Sequence, residues 1–227
     1  MLKPKKKISR KEIKKDPVLE KISQIEHLVR EKSKVILYVV VAVVILLVLS
    51  FAMIRSKQNA NRQASGELGM AELALASGDI DNAIVQFEAI VEKNPNTETA
   101  GMATIILGQA YILKDDYEKA ETYFWSYIKD YKDDNLLTAA AYNGLGACNE
   151  RAEDFKQAAV NFEKGGNISS YKFLKNECYI NAIRANIKIR NVENADRLLK
   201  LISAEDLDYR LKTQFDILKA SLEVLKG

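Results

Sequence analysis

The sequence predicts an all-α chain: one membrane-crossing helix, then a solenoid of about four helix pairs and a C-terminal capping helix. Three observations carry this. Residues 35–54 form an unbroken run of twenty uncharged residues; a small-residue and aromatic pattern recurs at nearly constant spacing through the rest. There are only three prolines in 227 residues, and no period-two apolar pattern suggests a strand.

The apolar run, VILYVVVAVVILLVLSFAMI, contains fifteen Ile, Leu, Val or Phe residues. A helix of that length spans roughly 30 Å, the hydrocarbon thickness of a bilayer. Its Val runs would favour a strand in water, but a lone strand in lipid leaves its backbone groups unpaired, so a helix is expected. Lys32 and Lys34 flank it on one side, Arg55 and Lys57 on the other. A buried core helix is rarely so long and so apolar on every face. A cleaved signal peptide competes, because Ser50-Phe51-Ala52 has the small-x-small form of a cleavage site. The 34 residues before the run and the run's own length favour an uncleaved anchor.

The formal charge of +3 conceals an asymmetry. Residues 1–34 hold 12 Lys/Arg against 5 Asp/Glu, whereas residues 58–227 hold 20 against 26. Positive charge stays in the cytoplasm, so the N-terminus is expected inside and the C-terminal domain, residues 55–227, on the extracytoplasmic face. Within the arm, Asp16-Pro17 reads as an N-cap followed by a first-turn proline. Val18, Leu19, Ile22, Ile25, Leu28 and Val29 then suggest an amphipathic helix over 17–32. Three uses stay open for this basic arm: resting on an anionic leaflet, contacting a cytoplasmic partner (RNA included), or only fixing topology. His27, the single histidine, lies on its polar side.

Beyond residue 57 four segments share one pattern, a polar turn, an alanine, and an apolar residue four further on. The pairs are Ala83 with Phe87, Ala120 with Phe124, Ala158 with Phe162, and Ala195 with Leu199, so the alanines step by 37, 38 and 37. Leu107-Gly108-x-x-Tyr111 and Leu145-Gly146 precede the middle two, each leucine thirteen residues before its alanine. This combination resembles the tetratricopeptide repeat, a helix–turn–helix unit. Pro95 supplies the closing proline of the first unit. The first and fourth units depart from the pattern, with Ala71 and Ile183 at the small glycine position. Gly108, Ala120, Gly146 and Ala158 are expected where paired helices touch, with Phe124 and Phe162 beside them. The spacing predicts helix pairs over 57–93, 97–130, 135–164 and 171–202, capped by 206–226. No glycine or proline occurs between Val35 and Ser65, so the anchor is expected to run unbroken into the first repeat helix.

Little here suggests chemistry. With no histidine outside the arm, Ser-His-Asp and Cys-His catalysis and nearly all His-bearing metal sites are missing from residues 58–227. There is no GxGxxG, GxxxxGK[ST] or CxxC. Asp115-Asp116 and Asp133-Asp134 fall in turns, where solvated or capping carboxylates are ordinary. No catalytic residue, cofactor, metal or nucleic-acid partner is expected. Cys148 and Cys178 read as reduced, buried thiols rather than a disulfide. Asn167-Ile168-Ser169 is a sequon, without meaning in the bacterial setting that the topology and Lys-rich start suggest.

By position within the resembled repeat, the first helices would turn Met102, Ile105, Gln109, Ile112, Asn143, Ala147, Ile180, Arg184 and Ile187 toward a concave peptide groove. Packing between neighbouring helices is the competing use of the apolar ones. Leu68, Glu72 and Ile106 stand where a carboxylate clamp would need Lys and Asn, so that binding mode is not expected. Trp125, Tyr123, Tyr127 and Tyr131 form an aromatic group suited to core packing or to a convex contact. The whole layout is similar to bacterial single-pass proteins typified by the ancillary subunit of the SecYEG translocon. That resemblance implies a scaffold in the inner (cytoplasmic) membrane that docks chaperones, translocon or client segments and assists protein export or envelope biogenesis. The rival is a structural or self-associating (homo-oligomer) assembly factor of a larger membrane complex.

Overall fold

The computed structural model of the chain describes residues 21–22, 26, 30–132 and 134–226. The expected amphipathic helix over 17–32 lies, but for isolated positions, outside the described residues, as does His27. Among the described residues nine α-helices lie within 33–226, and there is no strand. They are α1 (Ser33–Ala76), α2 (Ile80–Lys93), α3 (Glu98–Leu113), α4 (Tyr117–Asp130), α5 (Asn135–Arg151), α6 (Phe155–Ile168), α7 (Lys172–Lys188), α8 (Val192–Leu199) and α9 (Tyr209–Lys226). A 3-10 turn, Ala204–Asp206, precedes α9. The chain divides into two compact units, Met1–Ser56 and Lys57–Gly227.

In the first unit α1 carries the apolar run, the one described stretch long and apolar enough to cross a membrane. None of it is buried, from Val35 at 60% exposed to Ile54 at 57%, which sets aside a soluble core helix. Lys32, Lys34, Arg55 and Lys57 are all exposed. The helix α1 spans 44 residues; its stretch 35–65 holds no glycine or proline, and Gly66 and Gly69 fall toward its end.

In the second unit every helix pair turns by the same device. Just past the end of each first helix stands a residue with positive φ (Gly78, Asp115, Glu153 or Arg190). The following residue then closes a wide backbone bond, as when Asp116 N–H donates to Tyr111 C=O at 2.9 Å and Asp154 N–H to Asn149 C=O at 2.9 Å. That same residue caps the second helix: the side chains of Asp79, Asp116, Asp154 and Asn191 accept from the backbone N–H three residues on.

The helices meet through small residues. Ala83, Ala120, Ala158 and Ala195 are wholly buried. A Cβ on Gly108 would lie 2.5 Å from the Phe124 ring, and one on Gly146 would lie 2.4 Å from Phe162. Phe87 is buried in the same way, and Tyr111 is 6% exposed. Two apolar clusters result. One joins Leu68, Ala71, Phe87, Leu107, Phe124 and Leu145; the other joins Phe162, Tyr179, Ile183, Leu198 and the cap residues Leu211, Phe215 and Leu222.

Three boundaries differ from expectation by more than one residue. Helix α6 runs to Ile168 rather than 164, because Gly165 and Gly166 continue it while seating it against a neighbour. A Cβ on Gly166 would meet the Tyr179 ring at 2.4 Å, and one on Gly165 would meet Ala139 C=O at 3.0 Å. Helix α8 stops at Leu199, three residues short of 202. The cap starts at Tyr209, after the 3-10 turn, rather than at 206.

Candidate functional site

Hydrogen bonds tie the first helices of neighbouring pairs, α1 to α3 and α5 to α7. Asn61 Oδ1 accepts from Thr99 N–H at 2.9 Å and from Thr99 Oγ1 at 2.8 Å, and Ser65 Oγ lies 3.0 Å from Thr99 Oγ1. Further along, Asn181 Nδ2 donates to Asn143 Oδ1 at 3.1 Å. Arg184 grips the Glu150 carboxylate through two bonds of 2.8 and 2.7 Å, the bidentate geometry that suits a guanidinium.

This lattice changes the reading of the expected groove. Ile105 is 3% exposed and Ile180 is 0%, so neither presents a side chain to a ligand; both are core residues. Ile112 is half-buried against the first cluster, Ala147 and Ile187 against the second. Asn143 and Arg184 are engaged by the neighbouring helix. Met102, at 39% exposed, and Gln109, also exposed, remain as free projections.

A recess near Met102 lies toward one edge of the second unit. A cleft of about 650 Å³ lies between α1, the N-terminus of α3 and the α4–α5 turn. Asn61, Thr99, Met102, Tyr131 and Leu137 form its walls, with Lys57, Glu98, Asp130 and Asp134 as its charged members. The charge balance is three carboxylates to one ammonium. Asp134 is held in place as the α5 cap, accepting from Leu136 N–H at 2.6 Å and Leu137 N–H at 3.1 Å. Tyr131 stacks on Tyr127 with ring centroids 5.9 Å apart, and a Cβ on Gly101 would lie 3.1 Å from the Tyr131 ring. A glycine at that point lets the ring lie flat on α3.

Sequence reasoning placed only Met102 in this cleft. Tyr131 belonged to an aromatic group assigned to core or convex surface, and the structure divides that group. Tyr127 is buried and Trp125 is 44% exposed. Tyr123 stacks on Tyr111, and both phenols donate to Glu88 Oε1, at 3.0 and 2.8 Å. Burial first, then the Glu88 carboxylate, pushes the Tyr111 phenol up to about 12 and raises Tyr123 as well.

Cys148 and Cys178 are free and buried, with burial pushing each thiol up to about 12. Among the described residues no group of three or more His, Cys, Asp or Glu is placed to hold a metal.

Stacked helix pairs with alanine and glycine seams, a laced inner face and a cleft at one edge define a helical-repeat protein of the solenoid class. Residues 30–173 match the tetratricopeptide repeat-like domain family, and the chain belongs to it. Among solved structures it is similar to a tetratricopeptide repeat protein from Parabacteroides merdae, with a TM-score of 0.60 at 12% identity. The similarity covers 73% of this chain and 61% of that one, and concerns the fold. No curated protein matches the chain.

Proposed function

We propose that this chain is a membrane-anchored protein-binding scaffold whose repeat domain lies on the extracytoplasmic face of a bacterial inner membrane. There it docks chaperone, translocon or client segments during export or envelope biogenesis, without catalysis of its own. The cleft of about 650 Å³ beside Met102 and Tyr131 is the observation that carries the binding role. Helical repeats offer such recesses to extended or helical peptide segments. The exposed apolar run in α1 and the basic arm before it support the anchor and its orientation. Three acids against one lysine on the cleft wall favour a segment that carries Lys or Arg, with the Tyr131 ring open to its stem.

The test is an affinity pull-down of the full chain in mild detergent, beside variants Met102→Arg, Gln109→Arg and Tyr131→Ala. These positions avoid Asn143 and Arg184, whose replacement would disturb helix stacking itself. Loss of about tenfold or more of a co-purifying protein is expected. Unchanged recovery of every partner would remove the cleft from the account. A reporter fused after Gly227 that is active only in the cytosol would refute the orientation.

A further inference from the structure

Among the described residues, the face of α1 turned away from the core has no partner over positions 59–73. Ala64, Leu68 and Ala71 point into the first cluster. On the opposite side Met70 and Leu73 are each 63% exposed. Gly66 and Gly69 share that side, with nothing within 4 Å of where a Cβ would stand. This sets them apart from Gly108, Gly144, Gly146 and Gly166, each of which abuts an aromatic ring. A glycine inside an exposed helix weakens it relative to alanine, and the chain's own packing offers no return for two of them. Close approach by another helix does.

We infer that this face is a self-association surface, a parallel pairing of α1 with α1 of a second copy. In heptad terms Gln63 and Met70 occupy one seam position (a) and Asn59, Gly66 and Leu73 the other (d), so that the apolar contact centres on Met70 and Leu73, while Leu68 and Leu75 fall on the far side, toward the core. Arg62 and Glu67 then occupy the flanking g and e positions five residues apart, the spacing at which one parallel helix reaches its partner. Neither residue has an ion pair within the described chain, and Arg62 of one copy meets Glu67 of the other twice per dimer. An antiparallel pair would instead set like flanks together. The charge pattern therefore selects both the occupant and its direction. This pairing goes beyond the docking role and uses a different face, so either can fail alone.

The experiment is disulfide trapping of the full chain in native membranes. Gly66→Cys and Leu73→Cys place thiols at d positions, and Glu72→Cys places one off the seam on the same helix. Cys148 and Cys178 are buried and stay silent. Mild oxidation is expected to yield at least about fivefold more linked dimer at 66 and 73 than at 72, since a disulfide requires Cβ atoms about 4 Å apart. Adding Arg62→Glu to Gly66→Cys lowers the yield by a similar factor, and adding Glu67→Arg as well restores it. Equal trapping at 66 and 72, no trapping at any position, or a linked product whose mass is not twice the chain overturns the inference. The last outcome would give the face to a different protein.

Discussion

Phe124 sits between two glycines on different helices. A Cβ on Gly108 would come within 2.5 Å of its ring, and one on Gly144 within 2.3 Å. The ring is 1% exposed, so it has no free volume into which to retreat. Gly144→Ala is therefore expected to destabilise the repeat domain by about 1–3 kcal/mol, the usual range for overpacking. Urea unfolding of the wild type and the variant reads this directly; equal midpoints would mean that the slot can open. Gly108 and Gly146 were legible in the sequence because they belong to the repeat's own motif. Gly144 was not, because its contact crosses to the neighbouring pair and depends on how pairs stack. The same cause explains Ile105 and Ile180, whose burial comes from flanking helices rather than from their position within a unit.

Helix ends show what local chemistry settles. Each second helix begins after a positive-φ residue and an Asp or Asn cap, and that turn was readable as a recurring polar stretch before an alanine. In α6 the cap is Asp154, whose Oδ1 accepts from Gln157 N–H at 3.0 Å. Asp154→Ala should cost about 1 kcal/mol, measured as a lowered thermal midpoint, with Asp154→Asn retaining most of it. If both variants melt with the wild type, tertiary packing alone fixes that end. The far end of α6 was less legible. Gly165-Gly166 resembles a helix stop, yet it serves as a flat seat for Tyr179, and glycine gives the same local signal for both roles.

At the scale of the whole chain, the all-helical class and the repeat architecture could be read from period and spacing, whereas the cleft could not. It is assembled from four elements far apart in sequence, and no single window holds its signature. The cap introduces a pH dependence. Asp196 on α8 accepts from Lys226 of α9 at 2.5 Å and from Lys200 at 2.6 Å, and these lysines, Lys200 first, hold its carboxyl down at about 2. The unfolded chain protonates that group near an ordinary value of about 4. The pin is thus intact above pH 4 and lost as pH falls toward 2. Amide exchange in α9 should accelerate across that window, and Asp196→Asn should flatten the acceleration; an unaltered profile would assign it to other carboxylates. The two apolar clusters carry a mechanical corollary. With Leu145 in one and Phe162 in the other, a chain held at its hydrophobic end and tugged from its tail would shed α9 and α8 first. The pairs nearer the held end would give last, because Phe162 seated on Gly146 ties the two clusters together.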